Sequence, residues 1–358
     1  MAAITNDRQA PPSGFRRWLN RTANTRTAWL YLLPAFLVMS IITFYPLIYE
    51  VWMSTTDYNI KNLRFDAPAA NRADQSDACN SNLKGECTWG LLENYHQIFT
   101  GDLPVAVANF SFWNVLAFNL VWTFTNVPFH VVIGVLIAVL LNVKGLLFKR
   151  FYRAIYILPM VLPSLVIAVV WRNMFDAQYG AINLAMASIG KIFGISPEVF
   201  QIRWLDQIDP PISFIPLPLS YFALLITNIW LGWPFMTIVA TGALQSIPGD
   251  LYEAASIDGA SARQQFTSIT VPLLRPAMIP ASVYGIVATF NLFNLIYLLS
   301  NGGPLRQTEI LVTTAYRLVN EQRLYGTAAA FSVIIFFVLL GLTLLTNRIT
   351  KATERYDV

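Results

Sequence analysis

The chain has 358 residues, 55% of them hydrophobic and only 12% charged, with a formal net charge of +4. Soluble domains carry about 25% charged residues, so this composition excludes a soluble enzyme or binding module and points to an integral membrane protein. The small positive balance is what basic segments on one side of a membrane produce, and it calls for no nucleic-acid partner.

Six stretches are apolar enough to cross a bilayer, at about 20 residues each and about 1.5 Å of rise per residue. They fall at 29–53, 113–142, 152–174, 217–245, 277–300 and 328–347. Ahead of the first, Arg8, Arg16, Arg17, Arg21 and Arg26 stand against a single acid, Asp7. With no small-residue cleavage site near its end, this first span reads as an uncleaved signal anchor. Its prolines, Pro34 and Pro46, lie near its ends, where a lost backbone hydrogen bond costs least. The 54–112 segment has four basic and seven acidic residues and holds the two cysteines of the chain, Cys79 and Cys87. Outside the cytoplasm they can close a small disulfide loop, with two free thiols as the alternative. No second ligand pair stands nearby, so no metal site is expected.

The second span is overlong and interrupted by Asn119, Asn126, Pro128 and His130, as for a helix that is tilted, kinked or packed inside a bundle. The short connection after it carries Lys144, Lys149, Arg150 and Arg153 without any acid, and the C-terminal tail adds Arg348, Lys351 and Arg355. These asymmetries place both termini and the even-numbered loops in the cytoplasm. Tyr179 to Ile195 has the pattern of a short interfacial helix, and Asn301-Gly302-Gly303-Pro304 is a turn signal. His96 and His130 are the only histidines, and a lone histidine is more often packed than catalytic.

Loop 246–276 contains EAASIDGASARQQFTSITVPLLRP, Glu253 to Pro276. It reads as two short helices. The first is capped by Asp250 and ends at Asp258-Gly259, where glycine can adopt the left-handed conformation. Ser261 and Gln264 have capping-box spacing for the second, which Pro272 is expected to stop. A polar hairpin between spans is built to dock against something soluble. The chain itself has no phosphate-binding loop, HExxH or GxSxG motif. Spans two, four, five and six also lack the strongly charged residues that ion-coupled carriers keep at mid-membrane.

What the spans do contain is uncharged polarity. Thr227, Asn228, Thr237 and Thr241 surround Trp230, Gly232 and Trp233 in the fourth. Ser282, Thr289, Asn291, Asn294, Tyr297 and Ser300 occupy the fifth. Asn291, Asn294 and Tyr297 are three apart and are expected on one helix face. Two readings stay level: hydrogen bonds between helices, or a path for a neutral, hydroxyl-rich ligand.

The Glu253–Pro276 stretch resembles the EAA loop of permease subunits of binding-protein-dependent ABC importers, matching it at Glu253, Ala254, Ala255, Asp258, Gly259, Ala260, Phe266, Pro272, Leu273 and Pro276. The segments RAIYILP (153–159), NIWLGWP (228–234), LQSIP (244–248) and NGGP (301–304) extend the resemblance to the maltose-type sugar permeases over about 113–348. This likeness implies an all-α integral membrane protein with six transmembrane helices and type I ABC importer permease architecture. It implies a multi-pass location in a bacterial or archaeal cytoplasmic membrane. The implied organisation is a basic tail (1–28), a first transmembrane helix (29–53), an external loop (54–112), a permease domain (113–348) with its coupling loop at 246–276, and a cytoplasmic tail (349–358).

The implied partners are a second homologous permease, two copies of an ABC ATPase and an external solute-binding protein, besides membrane lipid and a small-molecule sugar. No cofactor is expected on this chain; ATP and Mg belong to the ATPases, so it is a transport subunit and not an enzyme. By the same resemblance the sugar would pass Met160, Ser164, Asn228, Leu231, Gly232, Thr289, Asn291, Leu292 and Asn294. Where Met160 stands the maltose permeases have tyrosine, and where Thr289 and Leu292 stand they have asparagine. Those departures leave the sugar open among maltose, maltodextrin, trehalose and related oligosaccharides. The alternative is a permease for another solute, such as glycerol 3-phosphate or a polyol.

Overall fold

The computed structural model describes residues 29–58, 91–103, 110–143 and 145–350, and it divides into two units at Met53/Ser54. Cys79 and Cys87 lie outside the described residues. The described residues of the first unit form one helix, α1 (Trp29–Met53). It is uninterrupted because a π turn at Ser40–Phe44, closed by Tyr45 N–H on Ser40 C=O, widens the backbone just before Pro46. A proline there needs no donor and the wider turn gives its ring room.

Among its described residues the second unit consists of helices joined by turns and loops, with no strand. Its elements are α2 (Glu93–Thr100), α3 (Phe112–Asn142), α4 (Lys149–Val161), α5 (Ser164–Met174), α6 (Ala181–Ile192), α7 (Leu219–Gln245), α8 (Gly249–Ile257), α9 (Ala262–Phe290), α10 (293–300), α11 (Leu311–Asn320) and α12 (Tyr325–Thr350). α3, α7, α9 and α12, with α1, are each long and apolar enough to span a membrane. The expected third span is instead a broken one: α4 and α5 meet at 95°. The break is at Leu162-Pro163, where proline forces the preceding residue out of the helical region, and Leu162 has ψ 136°.

Two other expectations are corrected. Pro272 does not stop the second helix of the polar loop. A π turn at Phe266–Thr270 precedes it, with Val271 N–H on Phe266 C=O, and α9 runs on through Pro272, Pro276 and Pro280 to Phe290. The fifth span therefore begins about 15 residues before its apolar run (277 against Ala262), as a continuation of the polar hairpin. Asn291 and Asn294 also do not share a helix face. The helix ends at Phe290, Leu292 takes ψ 68°, and α10 restarts at Phe293.

α3 and α7 run parallel, in register: Asn126 meets Asn228, His130 meets Asn228 and Gly232, and Gly134 meets Met236 and Thr237. Their C-terminal ends therefore lie on the same side as the α8–α9 hairpin. α9 runs back antiparallel, its Gly285 near Val127 and its Thr289 at Trp122. Glycine makes the close approach possible. A Cβ on Gly134 would stand 2.5 Å from Met236 Cβ. The ends of the 54–112 segment pack on the same bundle: Asn94 donates to the carbonyls of Ser54 and Thr56 and accepts from Thr327 Oγ1 on α12.

Candidate functional site

The polar interruptions of α3 explain themselves in the seam it forms with α7 and α9. Asn119, Trp122, Asn126 and His130 recur at helical spacing and are all buried, while Pro128 faces outward. The last carbonyls of α9 lack the usual donor four residues on, and Thr289 C=O receives Leu292 N–H from the break instead (3.3 Å). Trp122 Nε1–H donates to Thr289 C=O (3.1 Å) and Asn119 Nδ2 to Phe290 C=O (3.2 Å). Asn119 Oδ1 in turn accepts from Leu311 N–H in the first turn of α11 (2.9 Å). One side chain thus satisfies two helix ends and holds the α9–α10 break in place.

Next to this break lies a cavity of about 230 Å³, lined by Asn228, Leu231 and Gly232 of α7, Thr289 of α9, Leu292 in the break, and His130 of α3. Five of the nine expected pathway residues therefore meet at one place. Ser164 and Asn294 meet each other, Asn294 Nδ2 donating to Ser164 Oγ at 3.0 Å where α5 packs on α10. Asn291 sits half-buried in the break, and Met160, 53% exposed on α4, does not line the cavity. The Asn228 amide is occupied: Nδ2 donates to Asn126 Oδ1 at 2.8 Å, and Asn126 Nδ2 donates to Trp122 C=O. So the side chain of Asn228, a residue that lines the cavity, is engaged in joining helices.

His130, read as packed from the sequence, is indeed packed, 3% exposed, and also lines the cavity, which that reading does not foresee. Its Nε2 lies 2.9 Å from Asn228 C=O. A carbonyl only accepts, so Nε2 carries the proton and Nδ1 of the neutral ring presents a lone pair. Gly232 is what admits the ring, since a Cβ there would fall 2.3 Å from His130 Cε1. The missed signal was the i, i+4 spacing of Asn126 and His130 on one face of α3. Phe235, Met236 and Tyr284 supply an apolar wall, and no lining side chain is charged. The cavity suits an uncharged ligand carrying hydroxyl groups.

The second site is the α8–α9 hairpin. Pro248, not Asp250, holds the N-cap position of α8; Asp250 lies inside the first turn, where its charge favours the positive helix end. Gly259 takes φ +77°, its N–H on Ser256 C=O and Ala260 N–H on Ala255 C=O, a complete Schellman ending. Ser261 and Gln264 form the expected capping box. Gln265 Nε2 donates to Ser256 Oγ and Ala260 C=O, and Tyr252 and Thr270 hydroxyls meet at 3.0 Å. The two helices are thus clamped as one body. Glu253, Ala254 and Asp258 are exposed, as is Ile257 at 86%, while Ala255, Ala260 and Phe266 are half-buried. Pro272 is exposed at the base of the hairpin.

On the side of the break away from the hairpin, Arg317 of α11 forms a buried node. It pairs with Glu309 and Glu321 (both 2.6 Å), and its Nη2 donates to Asn301 C=O and Oδ1 (both 2.8 Å). Burial pushes the Glu309 carboxyl above its ordinary range against the pull of Arg317 and Arg306. The turn it anchors, with Asn301 and Gly302 at positive φ, is the one the NGGP signal marks.

Residues 130–355 match the family described as "Binding-protein-dependent transport system inner membrane component". The chain is 31% identical over 325 residues to the galactooligosaccharides transport system permease protein GanP of Bacillus subtilis strain 168, across 89% of this chain and 69% of that one. It is 34% identical over 242 residues to the trehalose/maltose transport system permease protein MalF of Thermococcus litoralis, across 67% and 75% respectively. The crystal structure of a bacterial ABC transporter involved in the import of the acidic polysaccharide alginate superposes with a TM-score of 0.69 at 19% identity, over 95% of this chain and 100% of that one. At that identity the likeness is one of fold.

Proposed function

Because the chain belongs to the family of inner-membrane components of binding-protein-dependent transport systems, we propose that it passes a neutral oligosaccharide along the α3–α7–α9 cavity, driven by an ATPase docked on the α8–α9 hairpin. It is a multi-pass permease subunit of an ABC importer, with the type I permease fold. The observation that carries the coupling role is the hairpin itself: a doubly capped, clamped pair of helices whose exposed face includes Glu253, Ala254 and Ile257. Small side chains allow close approach, Ile257 offers an apolar anchor and Glu253 a polar contact.

A second permease would complete the path and an external binding protein would deliver the ligand; ATP and Mg would stay on the ATPases. Because α9 is continuous from the hairpin to the break at Asn291, a push on the hairpin reaches the cavity wall along one rigid element. That is the element an alternating-access switch needs. The sugar reading is supported by the names of the relatives and by the cavity's uncharged lining, where His130 Nδ1 would accept from a ligand hydroxyl. A phosphorylated solute such as glycerol 3-phosphate would call for a cation, and the lining has none.

Glu253→Lys and Gly259→Asp should abolish co-purification of the ATPase and transport-coupled ATP hydrolysis; normal values for both would refute the docking role. Leu231→Trp should fill the cavity and lower uptake at least tenfold in an assembled complex. Unchanged uptake would remove the cavity from the path.

A further inference from the structure

A second cavity, of about 580 Å³, opens between the C-terminal half of α3, α4 and the middle of α7. Its walls are almost wholly apolar, with Leu140, Val143, Ile155, Leu158 and the rings of Trp230 and Trp233 among them. Since α3 and α7 are parallel, its Val143 and Leu146 end lies on the hairpin side of the membrane, and its Trp230 end near mid-span. An apolar slot running from one interface to the bilayer centre has the direction of an acyl chain.

The chain beside its hairpin-side end is cationic, with Lys149 and Arg150 lying between the lining residues Leu146 and Tyr152. α4 begins with Lys149, Arg150 and Arg153, and the sequence contains no Asp or Glu from Phe112 to Phe175. None of the three forms an ion pair among the described residues, and Arg153 Nε is buried without a hydrogen-bond partner. Their position is electrostatically unfavourable, because the N-terminus of a helix is already its positive end. No side chain caps α4 either, Phe148 at its N-cap being left-handed with φ 56°. Cations and uncapped N–H groups at a helix start are relieved together by an anion.

We infer that this cleft holds one acyl chain of an anionic phospholipid from the leaflet on the hairpin side, its phosphate bound by Lys149, Arg150 and Arg153 at the start of α4. The charge and the slot point to the same occupant: a basic cluster at the start of a membrane helix suits an anionic headgroup, and the adjacent slot takes the tail. The inference rests on the membrane location alone and stands or falls apart from the sugar reading.

The test uses the assembled importer in nanodiscs containing either phosphatidylglycerol or phosphatidylcholine with a diazirine on one acyl chain. Photolabelling of peptides around Leu140, Ile155 and Trp233 should be about tenfold stronger from phosphatidylglycerol. Lys149→Gln/Arg150→Gln/Arg153→Gln should bring it down to the phosphatidylcholine level, with assembly unchanged. Should the triple variant not assemble, Arg153→Gln alone should lower the ratio about threefold. Equal labelling by both lipids, insensitive to these substitutions, would mean a greasy surface without a headgroup site. No labelling by either lipid would mean that the second permease covers the cleft. Either result overturns the inference.

Discussion

The α8–α9 hairpin and the α3–α7–α9 seam use similar residues to opposite ends. In the hairpin, Ser261, Gln264, Gln265 and Ser256 bond within about ten residues of one another, and the outer face stays bare. In the seam, Asn119, Trp122, Asn126 and His130 reach residues about 100 to 190 positions away and are buried. Local bonding yields a rigid body that is free to dock. Long-range bonding yields a fixed crossing of helices around a cavity. Stability and coupling should therefore separate when the two regions are mutated.

The largest effect is expected at the buried ion pair that anchors the far side of the break. Arg317→Ala strands Glu309 and should cost about 3 kcal/mol, as removal of one partner of a buried pair does. It has a pH signature. Without Arg317 the Glu309 carboxyl is raised further above its unfolded value, so the folded state binds the extra proton. Melts across about pH 5 to 8 should show the variant gaining stability on acidification through the raised carboxyl range and losing it as pH rises. A flat profile would mean that Glu309 is not desolvated.

Next comes the closest helix approach. Gly134→Ala puts a methyl group 2.5 Å from Met236 Cβ and 3.0 Å from main-chain atoms of Met236 and Thr237. Overpacking of this kind costs about 1–3 kcal/mol, read as a lower melting midpoint of the detergent-solubilised complex. An unshifted midpoint would show that α3 and α7 can part without penalty. A smaller term is the Asn126–Asn228 bond. A double-mutant cycle with alanine at both positions should give a coupling energy of about 0.6–1.7 kcal/mol, the range for bonds between membrane helices. Zero coupling would return the Asn228 amide to ligand binding.

Least of all should the hairpin surface affect folding. Ile257→Asp should leave the midpoint within about 0.5 kcal/mol of the parent, as exposed substitutions do. It should nonetheless lower ATPase affinity at least tenfold in a pull-down titration. A large stability loss there would erase the contrast between the two regions.

Much of the helical content was legible because apolar run length and turn chemistry are local. The runs at 29–53, 113–142, 217–245 and 328–347 match helices to within about three residues. The Schellman glycine, the capping box, the short helix α6 and the NGGP turn stand where their residues predict. Proline was where local reasoning failed. Pro163 breaks a span that hydropathy joins, whereas Pro272 is absorbed by a π turn that composition does not announce. Asn291, Asn294 and Tyr297 were aligned on the assumption of one helix, which ends at Phe290.

By itself the sequence determined a polyhelical membrane protein and the capped polar hairpin, because hydrophobic length, caps and left-handed glycine act over a few residues. It also determined the uncharged character of the spans, since residue type needs no coordinates. Only the tertiary structure decided which polar groups meet. Asn126 takes the amide of Asn228, Asn119 and Trp122 take the carbonyls at the end of α9, and Gly232 admits the ring of His130. Those partners are distant in the chain and are chosen by helix register. A buried polar group must pair with whatever the register brings to it, and composition contains no record of that register.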